Sequence, residues 1–223
     1  MTDLICFDCD GVLIASERLA AETTAECLAE FGVELTTDEV LATLLGKTAK
    51  DSAAYIRATF GVELPATYQE LYTREVYQRF REQLQPVAGI AQVLEALRLP
   101  SCVTSNSGHE RLALTLGLTG LAAHFGPRVF SADDVAQGKP APDLFYFAAQ
   151  RMGVEAQNCL VIDDSPTGIA GAVAAGARAI GFTGGGHTTP DHADQLMAAG
   201  AFCTVATAQD LIPLLCADPI PAQ

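Results

Sequence analysis

The hydrophobic positions of the chain fall into two regimes. Leu4-Ile5-Cys6-Phe7 is a continuous apolar run, the pattern of a strand buried on both faces. From Ser16 to about Leu84 the spacing turns helical. Leu19, Thr23, Cys27 and Phe31 recur every four residues, as do Ala20, Thr24 and Leu28. Thr36 and Glu39 form a capping box ahead of Val40 and Leu41. A third helix is expected from about Lys50 to Phe60. Gly61 and Pro65 separate it from a fourth, whose stripe of Tyr68, Tyr72, Val76, Phe80 and Leu84 reads as helix packing.

From Pro86 onward helices and strands alternate. The pattern predicts a helix over Val87 to Leu97, then a strand over Ser101 to Thr104 ending at Ser105-Asn106-Ser107-Gly108. A helix over His109 to Leu116 and a short strand at Val129-Phe130 follow. Pro142 to Met152 reads as a helix with proline at its first position. Cys159 to Ile162 is a strand ending at Asp163-Asp164, and Thr167 to Ala175 is a helix of small residues able to lie close to a sheet. Strands over Ala177 to Phe182 and Phe202 to Val205, and a helix over about Ala208 to Leu215, complete the series. The fold class is α/β, a Rossmann-like doubly wound parallel sheet core with a small α-helical cap inserted after its first strand. The expected boundaries are 1–15 and 85–223 for the core and 16–84 for the insert. An insert that follows a catalytic strand end is suited to act as a lid.

Composition narrows the function classes. The 223 residues are 49% apolar and only 18% charged, enough for a sizeable core and unlike a disordered chain. A formal net charge of −14 repels nucleic acid and anionic lipid, so neither is an expected partner. No apolar run approaches the ~20 residues of a membrane helix, and the first residues lead straight into a strand without a secretory signal. The seven cysteines, Cys6, Cys9, Cys27, Cys102, Cys159, Cys203 and Cys216, are odd in number and scattered through apolar segments. They read as free thiols in a reducing compartment, which makes the cytoplasm the expected location. Cys6-Phe7-Asp8-Cys9 is formally a C-x-x-C. No second pair completes a metal set, and residues three apart on a strand point to opposite faces. A monomer or small homo-oligomer is expected.

The chemistry gathers at predicted strand ends. Asp8 and Asp10 follow the first strand, separated by one residue, and Gly11 then allows a tight turn. In open α/β sheets ligands bind outside the carboxyl ends of the strands. Two carboxylates there repel unless a cation compensates, and a hard cation with oxygen ligands, Mg²⁺ above all, suits them. Thr104-Ser105-Asn106, Lys139-Pro140 and Asp163-Asp164 join the same edge. Four carboxylates, one lysine and a hydroxyl and amide pair suit a metal bound opposite a phosphate. Gly184-Gly185-Gly186-His187 also follows a strand; a flexible loop is the simpler reading, and His187 is left outside the catalytic set.

These segments resemble the haloacid dehalogenase-like hydrolases along essentially the whole chain. The four signatures stand as Phe7-Asp8-Cys9-Asp10-Gly11-Val12-Leu13, Thr104-Ser105-Asn106, Gly138-Lys139-Pro140-Ala141-Pro142-Asp143 and Val161-Ile162-Asp163-Asp164-Ser165-Pro166-Thr167-Gly168. The insert is similar to the small cap of the subgroup that contains beta-phosphoglucomutase, sugar-phosphate phosphatases and 6-phosphogluconate phosphatase-like proteins. The resemblance implies a Mg²⁺-dependent phosphatase acting on a small-molecule phosphate ester. Asp8 would be the nucleophile, forming an aspartyl-phosphate, and Asp10 the general acid and base. Asp10 would also ligate Mg²⁺ through its backbone carbonyl, with Asp8, Asp163 and Asp164 completing the metal set. Ser105 and Asn106 would bind the transferring phosphoryl group, and Lys139 would neutralise charge between it and Asp8.

The chain departs from the family pattern in places. Ala15-Ser16-Glu17 stands where an aspartate often precedes the Ser-Glu that opens the cap. In the cap loop Gly46-Lys47-Thr48-Ala49-Lys50-Asp51-Ser52, the mutase's arginine falls on Ala49, and Lys47 and Lys50 are the candidate substrate-binding cations. The mutase's cap histidine falls on Ala20, and no histidine occurs before His109. A phosphomutase therefore stands as the alternative to hydrolysis. A non-catalytic phosphometabolite-binding protein is a further one. A 2-haloacid dehalogenase is disfavoured by Asp10 and the Asp163-Asp164 pair, which that chemistry does not require.

Overall fold

A computed structural model describes residues 1–187 and 189–216. The chain divides into two compact units, one made of Met1–Ala15 and the chain from Gln85 onward, the other of Ser16–Leu84.

The first unit is built on a six-stranded sheet of β1 (Leu4–Phe7), β2 (Ser101–Ser105), β3 (Val129–Ser131), β4 (Cys159–Asp163), β5 (Arg178–Phe182) and β6 (Cys203–Val205). The strands run in the order β3-β2-β1-β4-β5-β6, and every pairing is parallel. This is a Rossmann-like doubly wound sheet. Because β1 lies between β2 and β4, the order in which strands are added to the sheet reverses there, and the crevice for ligands opens at the carboxyl ends of these three strands. In register, Phe7 pairs with Val103 on one side and Ile162 on the other. Asp8 continues the ladder by one bond, its N–H donating to the Ile162 carbonyl at 2.9 Å.

The central strands β1, β2 and β4 are buried along their whole length, as their uninterrupted apolar runs require. One sheet face packs Leu4, Cys6, Cys102 and Val161 against Leu144, Phe145, Ile169 and Ala172. On the opposite face Phe7 meets Phe125 edge-on, with ring centroids 6.4 Å apart.

In the second unit, four helices alone carry the structure: α1 (Glu17–Ala29), α2 (Thr37–Thr43), α3 (Ala49–Phe60) and α4 (Thr67–Gln83). Ala21, Leu28, Val33, Val40, Leu44 and Ile56 make its core. Val76 and Phe80 of the aromatic stripe are fully buried, consistent with packing. The Thr36–Glu39 capping box is formed in both directions. Arg79 of α4 ties to α1 through Glu26 at 2.6 Å and Glu22 at 3.5 Å.

The remaining helices belong to the sheet unit: α5 (Ile90–Ala96), α6 (His109–Leu118), α7 (Ala122–Phe125), α8 (Asp143–Met152), α9 (Pro166–Ala174), α10 (His192–Ala198) and α11 (Ala208–Cys216). Several of them differ from the periodicity reading, and the short α7 has no counterpart in it. The helix expected from Val87 starts instead at Ile90, because residues 85–87 are drawn into backbone pairing. Ala15 N–H donates to Gln85 O, Val87 N–H donates to Leu13 O, and Gly89 enters the helix at φ 85°. Pro142 caps α8 from outside, and Pro166 takes the first-turn position, in α9. The α10 helix escaped the pattern because it buries only His192 and Leu196, too few positions to set a period.

The cysteines are free throughout. Cys6 points into the apolar face, 3.6 Å from Cys102 Sγ. Cys9 lies past the strand end among Asp8, Asp10 and Thr115. The formal C-x-x-C is therefore not a pair. Burial and the carboxylates beside it push the Cys9 thiol above its ordinary range, which makes it a poor nucleophile.

Candidate active site

Asp8, Lys139, Asp163 and Asp164 are all buried at the carboxyl edge of the sheet. The Lys139 ammonium donates to Asp8 Oδ1 at 2.6 Å and to Asp163 Oδ2 at 2.7 Å. It therefore bridges the ends of β1 and β4. Burial works to lower the Lys139 pKa, but Asp163 and Asp8 outweigh it and hold the ammonium above the usual lysine range. Burial pushes the Asp8 carboxyl well up, and Asp163 and Asp164 add to this while Lys139 opposes it. Asp164 is raised for the same first reason, with His187 opposing.

Local geometry explains how each carboxylate is held. The turn after β1 closes when the Leu13 and Ile14 N–H groups donate to Cys9 O, with Gly11 at φ 76°. A Cβ on Gly11 would fall 1.9 Å from Asp164 Oδ2, so only glycine lets the two loops meet. Asp163 Oδ1 accepts from the Ser165 N–H at 3.0 Å and the Ser165 hydroxyl at 2.7 Å. Ser165 also caps α9, accepting from the Gly168 N–H, and a Cβ on Gly168 would fall 2.0 Å from the Asp163 carboxylate.

Asp10 stands beside this cluster with partners of its own. Its Oδ2 accepts from the Ser107 hydroxyl at 2.7 Å and its Oδ1 from Arg111 Nη2 at 2.6 Å. Ser105 is buried, and its hydroxyl accepts from the Ser107 N–H at 3.1 Å. The Asn106 carboxamide bonds the Lys139 main chain in both directions, Nδ2 to the carbonyl at 3.0 Å and Oδ1 from the N–H at 2.8 Å. That side chain, expected as a phosphoryl contact, also fixes the segment that presents Lys139. Lys47 and Lys50 belong to the helical unit and are exposed there; Lys47 Nζ lies 5.9 Å from the Tyr55 ring centroid.

Arg111 and His187 are the residues that sequence reasoning left out. Arg111 sits in the first turn of α6, where the helix dipole disfavours a cation. A basic residue at that point was a readable sign that an anion compensates it. His187, expected in a flexible loop, is buried with Nε2 3.0 Å from Asp164 Oδ2.

The donor set fits a hard divalent cation. Asp8, Asp163 and Asp164 each offer an oxygen, and the three oxygens lie within 4.8 Å of one another. One ammonium faces three buried carboxylates, so negative charge is left in excess. Oxygen donors of this kind suit hard divalent cations in general.

The model of the haloacid dehalogenase-like hydrolases matches residues 2–176, which carry the Asp8, Ser105, Lys139 and Asp163 segments. The chain is a haloacid dehalogenase-like hydrolase. As a member of that hydrolase family it is an enzyme. It is 30% identical over 189 residues to the 6-phosphogluconate phosphatase of Escherichia coli, covering 84% of this chain and 86% of that one. A haloacid dehalogenase-like protein of Agrobacterium tumefaciens, of unknown function, superposes with a TM-score of 0.88 at 37% identity over 95% of this chain and 96% of its own. A hydrolase of the same family from Deinococcus radiodurans, solved with bound phosphate and sodium, gives 0.82 at 33% identity over 95% and 94%.

Proposed function

We propose that this hydrolase is a Mg²⁺-dependent phosphatase acting on a small phosphorylated metabolite, a sugar or sugar-acid phosphate. The observation that carries the reading is the setting of Asp8. It is a carboxylate at the edge of the central strand, bonded to a buried ammonium and grouped with two further carboxylates. The phosphatase name of the E. coli relative and the phosphate held by the Deinococcus structure support it.

In this reading an Asp8 oxygen attacks phosphorus and the ester P–O bond breaks, leaving an aspartyl-phosphate. Asp10 gives its proton to the departing alkoxide. It then takes a proton from the water that attacks the aspartyl-phosphate, and inorganic phosphate leaves with Asp8 restored. Lys139 donates to Asp8, opposing the rise that burial causes in its pKa, and offsets the charge of the phosphoryl group. The Ser105 hydroxyl, Asn106 and nearby main-chain N–H groups receive the phosphoryl oxygens. Asp8, Asp163 and Asp164, with the Asp10 carbonyl, would hold the Mg²⁺. When bound, it supplies fixed positive charge opposite the phosphoryl oxygens. The unit of residues 16–84 serves as the cap, with Lys47 and Lys50 as its contacts to an acidic substrate. The free thiols suit a reducing, cytoplasmic setting. Alanine at positions 20 and 49 supports hydrolysis over phosphoryl return, because neither residue can relay a hydrogen bond or clamp a second phosphate.

The test is phosphate release with Mg²⁺ across a panel of sugar and sugar-acid phosphates, by the native chain and by Asp8→Asn. Asp8→Asn keeps the shape and removes the nucleophile, so turnover should fall by several orders of magnitude with an unchanged circular dichroism spectrum. Near-native turnover in that variant refutes the assignment. Glucose 6-phosphate forming from beta-glucose 1-phosphate faster than free phosphate would make the protein a mutase.

A further inference from the structure

Gly184-Gly185-Gly186-His187 takes no part in the chemistry above, yet it ends inside the acidic cluster. His187 is only 6% exposed. Its Nε2 donates to Asp164 Oδ2 at 3.0 Å. A Cβ on Gly11 would stand 3.0 Å from His187 Cε1, and one on Gly185 would stand 2.8 Å from the same atom. The imidazole thus occupies a slot left by two glycines, one from the turn that carries Asp8 and Asp10, one from its own loop. A second histidine backs it. His192 at the start of α10 donates its Nε2–H to the Asp164 carbonyl at 2.7 Å, and the two rings meet edge-on at 5.7 Å.

Lys139 serves two of the three clustered carboxylates, and the third has a donor of its own. Asp163 is fixed by Ser165 and Lys139, and Asp8 by Lys139. Asp164 has His187 on its carboxylate and His192 on its main chain. A buried carboxylate without such a donor samples several rotamers and must be ordered when a cation arrives, at an entropic cost. Donors outside the metal shell that orient its ligands change metal affinity in a measurable way.

We propose that His187 is a positioning residue that, by donating to Asp164, keeps that carboxylate grouped with Asp8 and Asp163 and so sets the divalent-cation affinity of the site. The inference rests on the metal reading given above. Two effects oppose each other here. Orientation by the imidazole strengthens cation binding, while the same hydrogen bond withdraws negative charge from the ligand and weakens it. The burial of both partners makes orientation the larger effect, because the carboxylate cannot recruit water as a substitute donor.

The experiment is direct titration of the full chain with Mn²⁺, followed by the electron paramagnetic resonance of the free ion, and with Mg²⁺ by calorimetry. His187→Leu should raise both dissociation constants about 10–100-fold. His187→Gln places an amide N–H where Nε2 lies and should recover most of the affinity. A residue that only supports the fold would lower the metal-free melting temperature and leave the affinity of the folded chain unchanged. If His187→Leu does not fold, His187→Asn serves, since its shorter amide keeps the loop polar and withdraws the donor. Native affinity in the donor-less variant overturns the proposal, and so does tighter binding. A native chain that binds neither ion overturns the metal reading itself, and this one with it.

Discussion

Asp10 is held by two donors that start from the same loop-to-helix passage, the Ser107 hydroxyl and the Arg111 guanidinium. A general acid must sit within hydrogen-bond reach of the leaving oxygen, so whatever fixes its rotamer bears on turnover. Arg111→Ala should therefore lower kcat for an alkyl phosphate by roughly 10–100-fold. Hydrolysis of p-nitrophenyl phosphate, whose leaving group needs no proton, should fall far less. Equal losses on both substrates would show that Arg111 acts elsewhere than through Asp10. The contrast between residues that were legible in the sequence and those that were not has a physical basis. Asp8, Lys139, Asp163 and Asp164 were legible because each follows or adjoins a strand or turn visible in the local pattern. Arg111 and His187 earn their roles from partners 101 residues away in one case and across two loops in the other, and no local periodicity encodes such a partner.

Among the helices, α9 illustrates how packing reverses an intrinsic preference. Replacing glycine by alanine inside a helix ordinarily stabilises it by roughly 0.5–1 kcal/mol. Gly117 in α6 has nothing near its missing Cβ, so Gly117→Ala should raise stability by about that amount. Gly168 lies in the first turn of α9, and its missing Cβ would overlap the Asp163 carboxylate. Gly168→Ala should therefore lower the melting temperature and turnover together, because Asp163 must move off Lys139 to make room. Thermal unfolding of the two variants side by side checks the opposite signs; a stabilised Gly168→Ala would mean that α9 can shift away from the strand end. Element positions were mostly readable, since strand burial and helical stripes are local signals. The start of α5 was not, because the Gln85–Val87 segment pairs with Leu13–Ala15 and that pairing outweighs its helical pattern.

At the scale of the whole molecule, the helical unit leaves and rejoins the sheet unit through neighbouring segments. Ala15 N–H donates to Gln85 O at 3.0 Å, so the two crossing points are already adjacent, and each unit has a core of its own. Replacing residues 16–84 by a short Gly-Ser linker should leave a cooperatively folding sheet unit, with loop closure costing little. In that variant KM for a sugar phosphate should rise more than KM for an aryl phosphate, as expected when the insert reads the substrate. Circular dichroism melting and the two KM values decide it. A truncated chain that folds and keeps native KM for both would remove the insert from substrate selection. Among the described residues no helix is long and apolar enough to cross a membrane, in keeping with the absence of a long apolar run in the sequence.

The amino-acid sequence by itself determined that buried parallel strands would form, that a helical segment would interrupt them after the first, and that carboxylates and a lysine would stand at their ends. Those properties follow from burial periodicity and turn chemistry, which act over a few residues. Only the tertiary structure decided the strand order that brings the ends of β1 and β4 under one ammonium. It also decided that the Asn106 side chain bonds the Lys139 main chain, that Arg111 reaches Asp10, and that His187 closes on Asp164. A buried charged or polar group takes its partner from whichever loop the sheet places beside it, and that neighbour is fixed only once the six strands have taken their order.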